Sequence, residues 1–280
     1  MKFLLFYAIL YPQLLIIKGD FMDYNYHTHT SLCMHATGGM EHYVMRAIEG
    51  GIKYMGFSGH IPFETATGRH SNFRIHPLTM NYYVTEFNRL KEKYKDKIDL
   101  KMGFEMEYYP KDFDRMLKSA IDYGAEYLIL GEHFLEDESN KINNPYTGNA
   151  DSEEALTTYV QNVVDAIKTG VFTYVAHPDL IGFTGSKEIY SREMMKIIKA
   201  SEELGIPLEI NFLGIREKRH YPNNYFWELV GTTKAPVTFG LDSHTFPDAC
   251  DEESLKVALE MVEKYNLNYI GKPDLILLQK

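Results

Sequence analysis

The chain is poor in cysteine: Cys33 and Cys250 are the only two among 280 residues. Two cannot build a disulfide framework, and they suit a reducing compartment, so a cytoplasmic protein is expected. Basic excess is also missing, with 29 Lys and Arg against 39 Asp and Glu and a formal charge of −10. That balance excludes broad nucleic-acid binding, because nothing remains to neutralise a phosphate backbone. A small phosphorylated ligand stays open, since bound cations would offset the acidity locally. No glycine-rich phosphate fingerprint follows any of the short apolar runs, which argues against an open dinucleotide-type sheet.

The long hydrophobic run is N-terminal, "MKFLLFYAILYPQLLIIKGD". As a signal core it has no small-x-small cleavage site before Met22. As a membrane span it is slightly short and is interrupted by Pro12 and Gln13. A third reading, preferred here, places the true start at Met22. Lys18-Gly19-Asp20 can be encoded by a purine-rich ribosome-binding sequence, and the first expected strand begins directly after Met22. Residues 1–21 are therefore set aside as an over-extended start or signal-like segment, residues 22–280 are read as one domain, and no membrane association is expected.

What the chain does have is a core-forming composition, 45% hydrophobic with 24% charged residues, and a repeated unit. Helix, glycine, short apolar strand and polar residue recur in that order. "GIKYMGFSGH" follows a helical stretch at 40–50 and ends in His60. "KIDLKMGFEME" follows a long helix at 77–96 and ends at Glu105 and Glu107. "GAEYLILGEH" ends in His133, "GVFTYVAHPD" in His177, "GIPLEINF" near Asn211, and "APVTFGLDSH" in Asp242 and His244. Gly51, Gly124, Gly170 and Gly205 fit the left-handed position just past a helix. Apolar runs alternating with amphipathic helices predict parallel strands buried on both faces. A doubly wound sheet would gather its ligands at one switch point, whereas here seven strands each deliver a His, Asp, Glu or Asn at the same end. The predicted fold is α/β, a TIM-like barrel of seven β/α units.

The first strand leads into "DYNYHTHTSLCMHA", residues 23–36, with His27, His29 and His35 inside nine positions. His27 and His29 share a face of an extended strand and can converge on one ion. With 11 histidines in the chain, roughly 0.4 such His-x-His pairs arise by chance, so the motif alone proves little. Its weight comes from the other ligand-type residues just past apolar strands, a placement that neither core nor surface demands. A site for several metal ions is the economical explanation.

These residues resemble the polymerase and histidinol phosphatase (PHP) family of metal-dependent phosphoesterases, and more narrowly its histidinol-phosphate phosphatase branch. The resemblance spans residues 22 to about 270. It rests on His27-Thr-His29, "CMHATG" with His35, "SGHIP" with His60, "GFEMEY" with Glu105, "GEHFL" with His133, "AHPDL" with His177 and "GLDSH" with Asp242 and His244. It implies a distorted seven-stranded barrel and two to three adjacent divalent metals, Zn, Fe or Mn. The first would sit on His27, His29, Glu105 and Asp242. The second would share Glu105 and add His133 and His177, and the third would take His35, His60 and His244. Two positions depart from the family pattern. Gly59 stands where an acidic residue usually precedes His60, and Glu132 stands where a small residue is common.

The branch resemblance extends to "NFLGIREKRHYPN" (211–223) and "NFRIHPLTMNYY" (72–83). It implies Arg216 as the phosphate clamp, with Arg74 and Asn211 as further substrate contacts. Glu132, a departure from the pattern, is read from its position as another substrate contact, and Arg69, Arg219 and His220 rank lower. Glu132 and Glu107 are the expected partners of a substrate ammonium. His42, His70, His76 and a buried Cys33 are read as ordinary structural residues. The implied reaction is hydrolysis of L-histidinol phosphate in histidine biosynthesis, with Asp242 or His244 serving the leaving alkoxide. No Cys-based phosphatase signature or aspartyl-phosphate motif is present, so no covalent intermediate is expected. The alternatives are a related phosphoesterase acting on nucleotide or sugar phosphates, and a non-catalytic metal-stabilised accessory domain.

Overall fold

The structure, a computed structural model, describes residues 22–65, 67–136, 138 and 152–279. The expected over-extended start at 1–21 lies outside these residues. Strands and helices alternate along the chain: β1 (Tyr24–Asn25), α1 (Met40–Glu49), β2 (Tyr54–Phe57), α2 (Met80–Tyr94), β3 (Asp99–Met106), α3 (Phe113–Asp122), β4 (Tyr127–Leu130) and α4 (Glu153–Thr169). They continue as β5 (Phe172–Val175), α5 (Lys187–Leu204), β6 (Leu208–Asn211), α6 (Phe212–Arg216), α7 (Asn224–Val230), β7 (Pro236–Gly240), α8 (Glu252–Tyr265) and β8 (Asn268–Tyr269).

The eight strands lie side by side in chain order, and every neighbouring pair is parallel. All their C-terminal ends therefore face one rim. The sheet curls until its first and seventh strands meet at that rim. Thr28 and Ser243 form a parallel bridge, with His29 N donating to Ser243 O at 2.9 Å and Ser243 N to His27 O at 3.1 Å. The eighth strand differs from the expected seven. Its two residues pair with Pro236 and Val237 at the opposite end of β7, and the Tyr269 hydroxyl lies 3.3 Å from that of Tyr24. Two half-buried residues carry no periodicity, so this strand leaves no trace in the sequence pattern.

Strands β4, β5 and β6 are buried at every position, as expected where helices cover a sheet that is also filled from within. Tyr127 is wholly buried and donates to Tyr26 O at 2.8 Å. Helices α4 and α5 begin at serine caps, Ser152 and Ser186, whose hydroxyls accept from Ala155 N and Glu188 N, satisfying backbone donors that the first turn leaves open. Gly51, Gly124, Gly170 and Gly205 all adopt positive φ, as their places at helix ends require. No described helix is long and apolar enough to cross a membrane.

Candidate metal centre

The rim gathers all nine ligand-type residues. Glu105, at the end of β3, is the hub. Its Oε2 lies 3.3, 3.2 and 3.4 Å from Nε2 of His27, His29 and His60, and its Oε1 lies 2.9 and 3.5 Å from Nε2 of His177 and His133. Asp242 Oδ1 stands 3.4 Å from Nε2 of both His27 and His29 and 3.2 Å from Nδ1 of His244. The His35 ring lies 4.7 Å from that of His244 and 5.1 Å from that of His29. His35 and His244 converge with His29, whereas His60 converges with His29 and Glu105 and, separately, with Glu107 and His133. The grouping of the third set thus differs from the resemblance, which pairs His35 and His244 with His60.

The outer nitrogens explain why this arrangement calls for cations. Nδ1 of His27 contacts Glu209 Oε1 at 2.8 Å, and that of His133 contacts Glu107 Oε1 at 2.9 Å. Nδ1 of His35 lies 2.8 Å from Cys33 O. Each Nδ1 therefore carries the proton, and the Nε2 of a neutral ring presents a lone pair. For His27 and His133 that lone pair faces a carboxylate oxygen. Acceptor faces acceptor, and Asp242 Oδ1 makes no hydrogen bond among the described residues. A proton or a metal ion between them removes the conflict. The titration of the metal-free groups carries the same message. Burial works against a charge on His27, yet Asp242, Glu209 and Glu105 hold its pKa well above 6.5. Burial also opposes ionisation of Glu105, but His60, His27 and His133 hold it well below the usual carboxylate range. His35 is pushed down to about 3 by burial and by His29 and His244. Imidazole and carboxylate donors around two buried anions suit divalent transition metals.

The backbone is shaped around these groups. A Cβ at Gly131 would fall 2.0 Å from Glu105 Oε1, and one at Gly240 would fall 1.6 Å from Glu209 Oε1, so only glycine fits either place. His177 (φ 31°) and Asp242 (φ 46°) occupy left-handed conformations that cost on the order of 1 kcal/mol each unless the surroundings hold them. His177 N donates to Glu209 Oε2 at 2.9 Å. Glu209 escaped the sequence reading. Its signal is a lone acidic residue inside the apolar strand "IPLEINF".

The side chains expected at the substrate, Arg216, Arg74, Asn211 and Glu132, are not among the residues lining the cavity. The Arg216 guanidinium points away from the cavity, donating to Leu241 O, Asp242 O and the Asp251 carboxylate, each at 2.9 Å. It braces the strained turn that carries Asp242. Arg74 is 1% exposed and donates to Glu107 at 2.5 Å, Glu138 at 2.6 Å and Ile61 O at 3.1 Å. It fixes Glu107, and through it His133. Asn211 donates to Glu209 at 2.8 Å and Asp242 Oδ2 at 3.1 Å while capping α6. Glu132 is buried, accepts from Tyr108 N and Asn162 Nδ2, has its pKa pushed well up by burial, and is not among the residues lining the cavity. At Gly59 a Cβ would lie 2.4 Å from Cys33 Sγ, so the sulfur takes the space that an acidic side chain would need. Cys33 belongs to none of the ligand groups among the described residues.

In front of the ligands lies a cavity of about 360 Å³, whose further lining is Phe73, Phe134, Leu213, Glu217, Arg219 and Tyr221. Phe73 and Phe134 stack with centroids 5.6 Å apart. Arg219 reaches Tyr221 Oη at 2.8 Å and Glu217 Oε2 at 2.6 Å.

Comparison with known proteins gives this rim a context. The sequence pattern described as "PHP domain" matches residues 25–212. A protein of Schizosaccharomyces pombe named "Probable histidinol-phosphatase" is 26% identical over 255 residues, covering 80% of this chain and 81% of the relative. The histidinol-phosphatase of Bacillus subtilis is 23% identical over 251 residues, covering 79% and 93%. The crystal structure of histidinol phosphate phosphatase from Lactococcus lactis, complexed with zinc, L-histidinol and phosphate, superposes with a TM-score of 0.68. It shares 21% identity and covers 91% of this chain and 100% of that one.

Proposed function

Because the chain belongs to the PHP family, we propose that it hydrolyses L-histidinol phosphate to L-histidinol and phosphate, as a metal-dependent phosphomonoesterase of histidine biosynthesis acting in the cytoplasm. The observation that carries this reading is the set of inward Nε2 lone pairs facing Glu105 and Asp242 at the floor of a cavity. The relatives' names supply the substrate.

Two to three divalent ions would be held by His27, His29, Glu105 and Asp242, by Glu105, His133 and His177, and by His35 and His244 with His29 or His60. Once bound, such ions lower the pKa of water toward about 7 and neutralise phosphoryl charge. Among the residues lining the cavity, Arg219 carries the remaining positive charge, and its planar fork suits phosphoryl oxygens. Although burial opposes it, the Asp242 carboxyl is held well below the usual carboxylate range by His27 and His244. Asp242 and His244, both lining the cavity, are the two groups placed to serve the leaving alkoxide. Glu209 and Glu107 keep the inner imidazoles in the tautomer that points Nε2 inward. Glu107, one of the two acids expected at the ammonium, lies behind His133 instead.

The test is a panel of phosphomonoesters with the metal-loaded protein. The kcat/KM for histidinol phosphate should exceed that for aryl, sugar and nucleotide phosphates by orders of magnitude. Equal rates across the panel would leave only a general phosphoesterase.

A further inference from the structure

With Glu132 and Glu107 turned away, the ammonium of the substrate has lost both of its expected partners. The cavity wall supplies another. Glu217 is the one carboxylate lining the cavity, among the described residues, that does not belong to the converging ligand set. It follows α6 directly, 53% exposed at its side chain, where an incoming molecule meets it. We propose that Glu217 is the specificity-determining residue that receives the substrate's ammonium, acting as one half of a Glu217–Arg219 ion pair matched to a zwitterionic phosphomonoester. This inference rests on the reading of the protein as a histidinol-phosphate phosphatase.

The pair is built for such a role. Nε and one terminal nitrogen of Arg219 both donate to the same oxygen, Glu217 Oε2, at 2.8 and 2.6 Å. No hydrogen bond reaches Oε1 among the described residues, so it is left to accept from a ligand. In histidinol phosphate the ammonium and the phosphoryl group are separated by two carbons and the ester oxygen. Two opposite charges that close need two opposite protein charges equally close, and an existing ion pair provides them without bringing like charges together. The floor cannot serve, since Glu105 and Asp242 are surrounded by imidazoles. The rings of Phe73 and Phe134, both lining the cavity, complete the wall as an apolar surface for the imidazole.

The competing role for Glu217 is merely to orient Arg219. Calorimetric titration of metal-loaded protein with L-histidinol and with N-acetyl-L-histidinol, which lacks the ammonium, separates the two. Wild-type protein should bind histidinol about five- to tenfold more tightly than its N-acetyl form, the size expected for a charge-assisted contact at a half-exposed position. In Glu217→Gln that preference should fall to about onefold, by loss of histidinol affinity alone. A Glu217→Gln protein that keeps the wild-type preference, or weakens both ligands equally, overturns the proposal. Wild-type protein that turns over histidinol phosphate yet shows no preference overturns it as well, while leaving the proposed function standing. Failure of the function itself shows separately, as absence of that turnover.

Discussion

Arg216 ends α6 and Arg219 lies three positions on, and the two serve different ends in a way that can be tested. Arg219 faces the cavity, so Arg219→Ala should lower kcat/KM by roughly 30- to 1,000-fold, about 2–4 kcal/mol of transition-state stabilisation, with metal content unchanged. Arg216 holds the carbonyls of Leu241 and Asp242, so Arg216→Ala should release the strained turn and lower metal occupancy. Elemental analysis of both variants decides the matter, and the reverse pattern would exchange their roles. Glu105→Ala should be the most damaging ligand change, because one carboxylate faces five imidazoles; near-normal turnover would contradict its place as hub. The inner residues were legible because a His, Asp or Glu just past an apolar strand is conspicuous. The substrate contacts were not. Whether a guanidinium turns toward a cavity or toward backbone carbonyls depends on where the loop folds back, and local sequence does not record that. Arg74 illustrates the point, since its partners Glu107 and Glu138 lie 33 and 64 positions away.

At the scale of elements, the strand ends expected from the sequence and those observed fall close together, because β/α alternation leaves a strong imprint of apolar runs. Strand β8 had no such imprint. The helices are joined outside the barrel by polar contacts that composition cannot reveal. Glu41 of α1 accepts from Lys93, Arg89 and Tyr94 of α2, and these partners, Lys93 first, hold its pKa down to about 2. A carboxyl lowered by folding stabilises the folded state above its unfolded value, and the gain is lost as pH falls from about 4.5 toward 2. Glu41→Gln should therefore lower Tm by about 1–2 °C at pH 7, in keeping with a surface network. The gap should narrow on acidification, as followed by calorimetry. A gap that does not change with pH would show that the contact does not act through charge.

For the whole molecule, closure of the barrel and the ligand cluster are one feature. The bridge between Thr28 and Ser243 is flanked by His27, His29, Asp242 and His244, so whatever draws those side chains together also draws the sheet shut. Ligands that bind the folded state alone stabilise it by mass action. Chelation should lower Tm and speed hydrogen exchange at His29 N and Ser243 N, the two closure donors. Amides in β4, far around the sheet, should respond less. Uniform exchange across the barrel would separate closure from metal binding.

The central claim is that nine converging side chains hold divalent cations required to hydrolyse histidinol phosphate. Its most direct test follows turnover of L-histidinol phosphate by one preparation before chelation, after chelation, and after zinc is returned, with metal content measured at each stage. About two to three ions per chain and the activity should be lost together and recovered together. Full turnover by protein stripped of metal would contradict the account.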